Sequence, residues 1–91
     1  MFVYELTCIF DPKADSKKLI KKIEGWMEKI GAKVKKKEEW GNKDLAYRIK
    51  KNHQGFFVFW QLEAESSKIV GLFPKIKLEE GIIRYLLVKA D

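Results

Sequence analysis

Eight of the nineteen lysines and arginines of this 91-residue chain fall between residues 33 and 53. They are Lys33, Lys35, Lys36, Lys37, Lys43, Arg48, Lys50 and Lys51, and within that stretch they meet three acids, Glu38, Glu39 and Asp44. The stretch thus holds +5 of the formal net charge of +6. Cations gathered on one arm draw a polyanion to that arm rather than to the whole surface. The plainer reading of the same residues is a solvated face, since runs of like charge are commonly just surface. Groups that could do covalent or metal chemistry are sparse. The chain has one His and one Cys, no glycine-rich phosphate loop and no metal-ligand spacing. His53, between Asn52 and Gln54, reads as a solvated turn residue or an RNA contact rather than a catalytic base. Cys8 lies in an apolar alternating run and reads as a buried free thiol of a reducing compartment. The sequence therefore points away from an enzyme, a cofactor and a small-molecule substrate.

Length and composition bound the rest. Ninety-one residues suit one domain, residues 1–91, and 46% hydrophobic residues suffice for one core. Charged residues make up 35% and no run approaches the ~20 apolar residues of a spanning helix, so no membrane segment is expected. Neither a secretory leader nor a transit peptide is apparent.

The elements that must position the basic arm follow from periodicity. Phe2 to Phe10 alternates as a strand, with Tyr4, Leu6, Cys8 and Phe10 on one side and Val3, Glu5, Thr7 and Ile9 on the other. Asp15 or Ser16 caps a helix whose Leu19, Ile20, Ile23, Met27 and Ile30 recur at helical spacing, and Gly31 ends it. Gly25 sits mid-helix, which costs about 1 kcal/mol unless a close approach to the sheet offsets it. Residues 32–51 form a second strand, bent or bulged near Gly41. Its Leu45, Tyr47 and Ile49 alternate with Ala46, Arg48 and Lys50. Residues 52–55 read as a turn, and Phe56 to Ala64 as a third strand with Val58, Trp60 and Leu62 opposite Phe57 and Phe59. A second helix is expected from Ser66, its cap, with a kink or an end near Phe73 because Pro74 lacks a backbone donor. Ile82 to Val88 is the fourth strand, with Ile83, Tyr85 and Leu87 facing one way and Ile82, Arg84, Leu86 and Val88 the other.

The order β-α-β-β-α-β, with right-handed crossovers, gives an α+β, ferredoxin-like fold: a four-stranded antiparallel sheet of order 4-1-3-2 with two helices on one face. The other face carries Val3, Ile9, Phe57, Phe59, Ile82, Leu86 and Val88, too much apolar surface to leave in water without a partner.

The runs E-E-W-G-N-K-D-L-A-Y (38–47), Q-G-F-F (54–57), I-I-R-Y-L-L-V-K (82–89) and the opening Y-E-L-T-C-I-F-D-P (4–12) resemble the protein-six family of the bacterial small ribosomal subunit, over the whole chain. The resemblance implies a structural constituent of the cytoplasmic ribosome. Such a protein binds the central domain of small-subunit rRNA as a pair with small-subunit protein eighteen. Lys43, Leu45 and Tyr47 stand at the matching motif positions, and Arg84 where the family places a basic residue on the last strand. We expect Lys43, Arg48, Lys50, Lys51, His53 and Arg84 on the RNA, and Trp40, Leu45, Tyr47, Phe57 and Phe59 on the protein partner. Tyr47 also suits packing within the sheet, more than Phe59 does. Arg48 replaces the family's usual proline, and Pro74 interrupts its usual charged second helix. The chain also stops at Asp91, where some members continue in a tail. Two other functions fit the topology. One is a single-strand RNA binder that stacks bases on open-face aromatics, although strand one offers none. The other is a homodimeric ligand-binding or regulatory module closed through the open face.

Overall fold

The computed structural model describes residues 1–49 and 51–90. Strands β1 (Phe2–Phe10), β2 (Lys33–Ile49), β3 (Asn52–Ala64) and β4 (Ile82–Lys89) form one sheet of order β2-β3-β1-β4, antiparallel throughout. This is the expected order read from the other edge. Helix α1 (Ser16–Lys29) and the short helices α2 (Ser66–Ile69) and α3 (Leu72–Leu78) supply the second layer. The core lies between the layers. Leu6, Cys8 and Phe10 of β1 and Val58, Trp60 and Leu62 of β3 meet Ile23 and Met27 of α1 and Leu72 and Ile76 of α3, all fully buried.

Helix α1 begins and ends on local chemistry. The Asp15 carboxylate accepts from the Lys18 amide, satisfying one of the unpaired donors of the first turn. At the other end Gly31 takes φ +76°, its amide donates to Glu28, and the Ala32 amide reaches back to the Met27 carbonyl. That pair of bonds is a Schellman closure, which needs the left-handed conformation glycine adopts without strain. The close approach suggested for Gly25 is absent: a Cβ there would meet nothing within 4 Å. Gly25→Ala should therefore stabilise the protein by about 1 kcal/mol, read as a raised midpoint in denaturant at unchanged slope.

The second helical segment breaks earlier than expected. It stops at Ile69 and restarts at Leu72, so the interruption falls at Val70 and Gly71 and not at Phe73. Pro74 then occupies the first turn of α3, where its missing N–H has no intrahelical acceptor to lose. Ser66 is not the cap. Glu65 is, through its carbonyl, which accepts from the Lys68 and Ile69 amides.

One carboxylate ties the layers together. Glu24 Oε2 on α1 accepts the indole N–H of Trp60 at 3.0 Å and lies 3.0 Å from Lys37 Nζ on β2. Trp60 is fully buried, so Glu24→Ala leaves its N–H without a partner. We expect a loss of about 1–3 kcal/mol, with Glu24→Gln, which keeps an acceptor, recovering most of it in the same unfolding assay.

Two strand assignments need correcting. Residues 52–54 are strand, not turn. The left-handed residue is Lys51, at φ 67°, and Gly55 serves a different purpose. A Cβ on Gly55 would lie 2.2 Å from Ile9 Cγ2, so this glycine marks a tight contact between neighbouring strands. On β4, Phe10 pairs with Ile82 but Ile9 pairs with Arg84, leaving Ile83 as an extra residue. The bulge puts Ile82 into the helix-side core and not on the open face expected for it, whereas Ile83 Cδ1, expected on the core side, approaches the Gly55 position beside Ile9. From Arg84 onward the expected alternation holds.

Candidate nucleic-acid interface

The β2-β3 hairpin carries most of the site, and three irregularities shape it. The ladder slips once at Lys35, again at Trp40, and then jumps from the pair Asp44–Gln54 to the pair Ile49–Asn52. The bulge foreseen near Gly41 is the second of these, and Gly41 takes φ +76° there. It turns the extra residue, Trp40, onto the open face of the sheet. The indole stacks on Phe59 at 5.7 Å between centroids and on Phe57 at 6.4 Å, and Lys43 Nζ sits 5.3 Å from its centroid. Its N–H donates to Glu38 at 2.8 Å. That bond and the Lys36 ammonium hold the Glu38 carboxyl below its ordinary value. A depressed folded pKa means the contact contributes above the unfolded value and is lost as pH falls through the folded one.

The third irregularity sets four residues of β2, Leu45 to Arg48, against one residue of β3, His53. The surplus arches over the open face. Leu45, Ala46 and Tyr47 bound a shallow depression floored by Ile9 and Phe57 and closed by Arg84 of the far strand β4. Tyr47 reaches Arg84 directly: the guanidinium lies over its ring, 5.8 Å from the centroid, and hydrogen-bonds its hydroxyl. The Arg48 guanidinium points instead at His53, with Nη2 2.9 Å from the imidazole Nε2. A proline at position 48 could not make that contact. Gln54 donates to Asp44 across the same hairpin at 2.9 Å.

The charge is distributed more narrowly than the sequence suggested. At the root of β2, Lys36 pairs with Glu38 at 2.9 Å, Lys37 with Glu24 and Glu39, and Lys35 approaches Glu63 at 3.9 Å. Among the described residues of the hairpin, Lys33, Lys43, Arg48 and Lys51 form no ion pair, nor does Arg84 on β4, and all five are exposed. Within the hairpin, apart from Lys33 at its root, unpaired positive charge thus lies at the tip and, with Arg84, at the mouth of the depression. Lys50 lies outside the described residues.

The structure gathers Trp40, Phe57 and Phe59 in one cluster and brings Leu45, Tyr47 and Arg84 together beside it. Their exposures reverse one expectation. Tyr47 is 61% exposed, whereas Phe59 lies partly covered by Trp40. Leu86, at 62% exposed, extends the apolar face along β4. Cys8 stays fully buried, and desolvation pushes its thiol up to about 12, well away from reactivity. Among the described residues no group of three or more His, Cys, Asp or Glu could hold a metal ion, and no helix is long and apolar enough to cross a membrane.

A family model described as "Ribosomal protein S6" matches residues 3–89. The chain belongs to the ribosomal protein S6 family. Similar members are the "small ribosomal subunit protein bS6" of Fusobacterium nucleatum, 31% identical over 97% of both chains, and that of Corynebacterium aurimucosum, 32% identical over 97% of this chain and 95% of the relative. The Thermus thermophilus protein of the same name is 31% identical over 97% of this chain and 90% of its own. The crystal structure of the 30S ribosomal protein S6 from Thermotoga maritima superposes with a TM-score of 0.92 over 98% of this chain and 87% of that one. At 22% identity that likeness shows the fold. As a family member the chain is a protein of the small ribosomal subunit, and its place is the cytoplasmic ribosome.

Proposed function

We propose that the chain binds the central domain of small-subunit rRNA together with small-subunit protein eighteen, as a structural constituent and not an enzyme. The observation that carries this reading is the charge pattern: Lys35, Lys36 and Lys37 are matched with acids, whereas the unpaired cations Lys43, Arg48, Lys51 and Arg84 border an aromatic face. Lys50, adjoining Lys51 in sequence, belongs to the same set, and His53 joins it through Arg48. Phosphate attraction supplies most of the RNA affinity, and backbone and shape are what these side chains read. Trp40, Tyr47 and Leu45, with Phe57 and Phe59 beneath or beside them, form the surface for protein eighteen. Large aromatic anchors ringed by polar groups are what such interfaces use.

Sedimentation of tagged protein from lysate tests the reading. It predicts co-migration with small subunits and release as salt is raised. A slow-sedimenting homodimer with none on ribosomes would contradict it and favour the regulatory module.

A further inference from the structure

We propose that the solvent face of α1, on the side of the sheet away from Trp40 and Arg84, is a second RNA-binding surface, with the phosphate backbone approaching at Gly25. The inference rests on the reading of this chain as an rRNA-binding protein and adds a second contact to it. Three features of α1 each weaken the helix, and all fall on one face. Gly25 is open to space, with nothing within 4 Å of where a Cβ would stand, so no packing inside the protein explains it. Lys17 and Lys21, and Lys18 and Lys22, are like-charge pairs four residues apart, which repel in a helix. The first turn holds Lys17 and Lys18 and no acid, against the sense of the helix dipole.

Helical spacing places these residues together. Positions three and four away from Gly25 carry Lys21, Lys22, Glu28 and Lys29, and Lys18 lies one turn further on the same stripe. All four lysines are exposed, as is Lys17. Lys22 is paired with Glu79 at 2.8 Å; among the described residues Lys17, Lys18, Lys21 and Lys29 make no ion pair. Glu28 is the one acid on the stripe itself, beside Gly25, and Glu24 is turned inward to Trp60 and Lys37. A bare backbone position flanked by the unpaired Lys21 and Lys29, with Lys18 a turn away, suits a phosphodiester, which needs close approach and several cations. An acidic protein would meet the same charge but gains nothing from the missing side chain. With the hairpin tip engaged on one side and α1 on the other, the protein would bridge two RNA segments.

Directed hydroxyl-radical cleavage tests the surface. An iron chelate is tethered to Gly25→Cys, or to Asn42→Cys at the hairpin as the reference, in small subunits reconstituted with the full chain; Cys8 is buried and does not take the tether. The proposal expects rRNA cleavage from both positions, at different segments. It also expects the variant with Lys17, Lys18, Lys21 and Lys29 changed to Gln to bind a central-domain rRNA fragment with a salt slope shallower by about 3. Cleavage from position 42 alone, or an unchanged slope in the quadruple variant, overturns the second surface and leaves the proposed function standing. Cleavage from neither position overturns both. Gly25→Ala separates binding from folding, since it should raise stability while weakening RNA affinity, and equal affinity would count against the close approach.

Discussion

Glutamine at Lys43, Arg48, Lys50, Lys51 and Arg84 together is expected to weaken binding to a central-domain rRNA fragment and to flatten its salt dependence. If each cation neutralises one phosphate, the slope of log affinity against log salt falls by about 3.5 to 4.5. A slope that steep corresponds to roughly a hundredfold or more in affinity across a fourfold change in salt. The prediction differs from one based on sequence charge alone. Changing Lys35, Lys36 and Lys37 to Gln removes three charges as well, but those ammonium groups already have carboxylates nearby. That control variant should alter RNA affinity and stability little, since exposed pairs are screened by solvent, except where Lys37 supports Glu24. Filter binding at several salt concentrations reads both variants. Equal effects from the two sets would show that charge number, not its position on the hairpin, governs binding.

Trp40→Ala should separate partner docking from RNA binding. The indole is the outermost ring of a three-ring cluster, 41% exposed, and stacks on Phe59 with only 6° between planes. Removing it uncovers Phe57 and Phe59 and takes away one anchor of the surface assigned to protein eighteen. A central aromatic anchor is worth about 2 kcal/mol or more in such interfaces, so affinity for protein eighteen should fall about 30-fold. The fold should lose roughly 0.5–1.5 kcal/mol for each stacked pair, which a thermal melt measures separately. The RNA salt slope should stay as it is, since no phosphate-binding cation is removed. Titration calorimetry against protein eighteen checks the first figure, and an unchanged affinity would place the partner elsewhere on the protein.

Much of this molecule could be read from its residues. Alternation in Phe2–Phe10 and helical spacing from Leu19 to Met27 are strong signals because one face of each is apolar and one is not. Asp15 and Gly31 mark the helix ends by side-chain capping and left-handed backbone, both local effects that need no tertiary context. Strand order followed from topology. What remained hidden were features set by contacts between strands. Ile82 and Ile83 look interchangeable in sequence, and only pairing with Phe10 and Ile9 fixes which faces the core. Gly55 resembled a turn residue because glycine has two uses, positive φ and close approach, and sequence does not say which applies. The β2 surplus at Leu45–Arg48 had the alternation of a plain strand, yet its register against β3 jumps, which sends Tyr47 across the sheet to Arg84.

The candidate site was legible in composition but not in distribution. Eight cations in one arm drew attention to this hairpin, and Trp40, Phe57 and Phe59 do cluster on its open face. The neutralisation of Lys36 and Lys37 depends on Glu38, Glu39 and the distant Glu24, so the narrowing of charge to the tip needed three-dimensional positions. The contact between Arg48 and His53 was equally invisible, because it spans the hairpin reversal.

The most direct test of the account is equilibrium binding of a central-domain rRNA fragment to this protein alone, to protein eighteen alone, and to the two together at one salt concentration. A shared docking site predicts that each protein raises the other's RNA affinity, by about 5- to 150-fold for an ordinary coupling. Affinity unaffected by protein eighteen, or no binding in any combination, would contradict it.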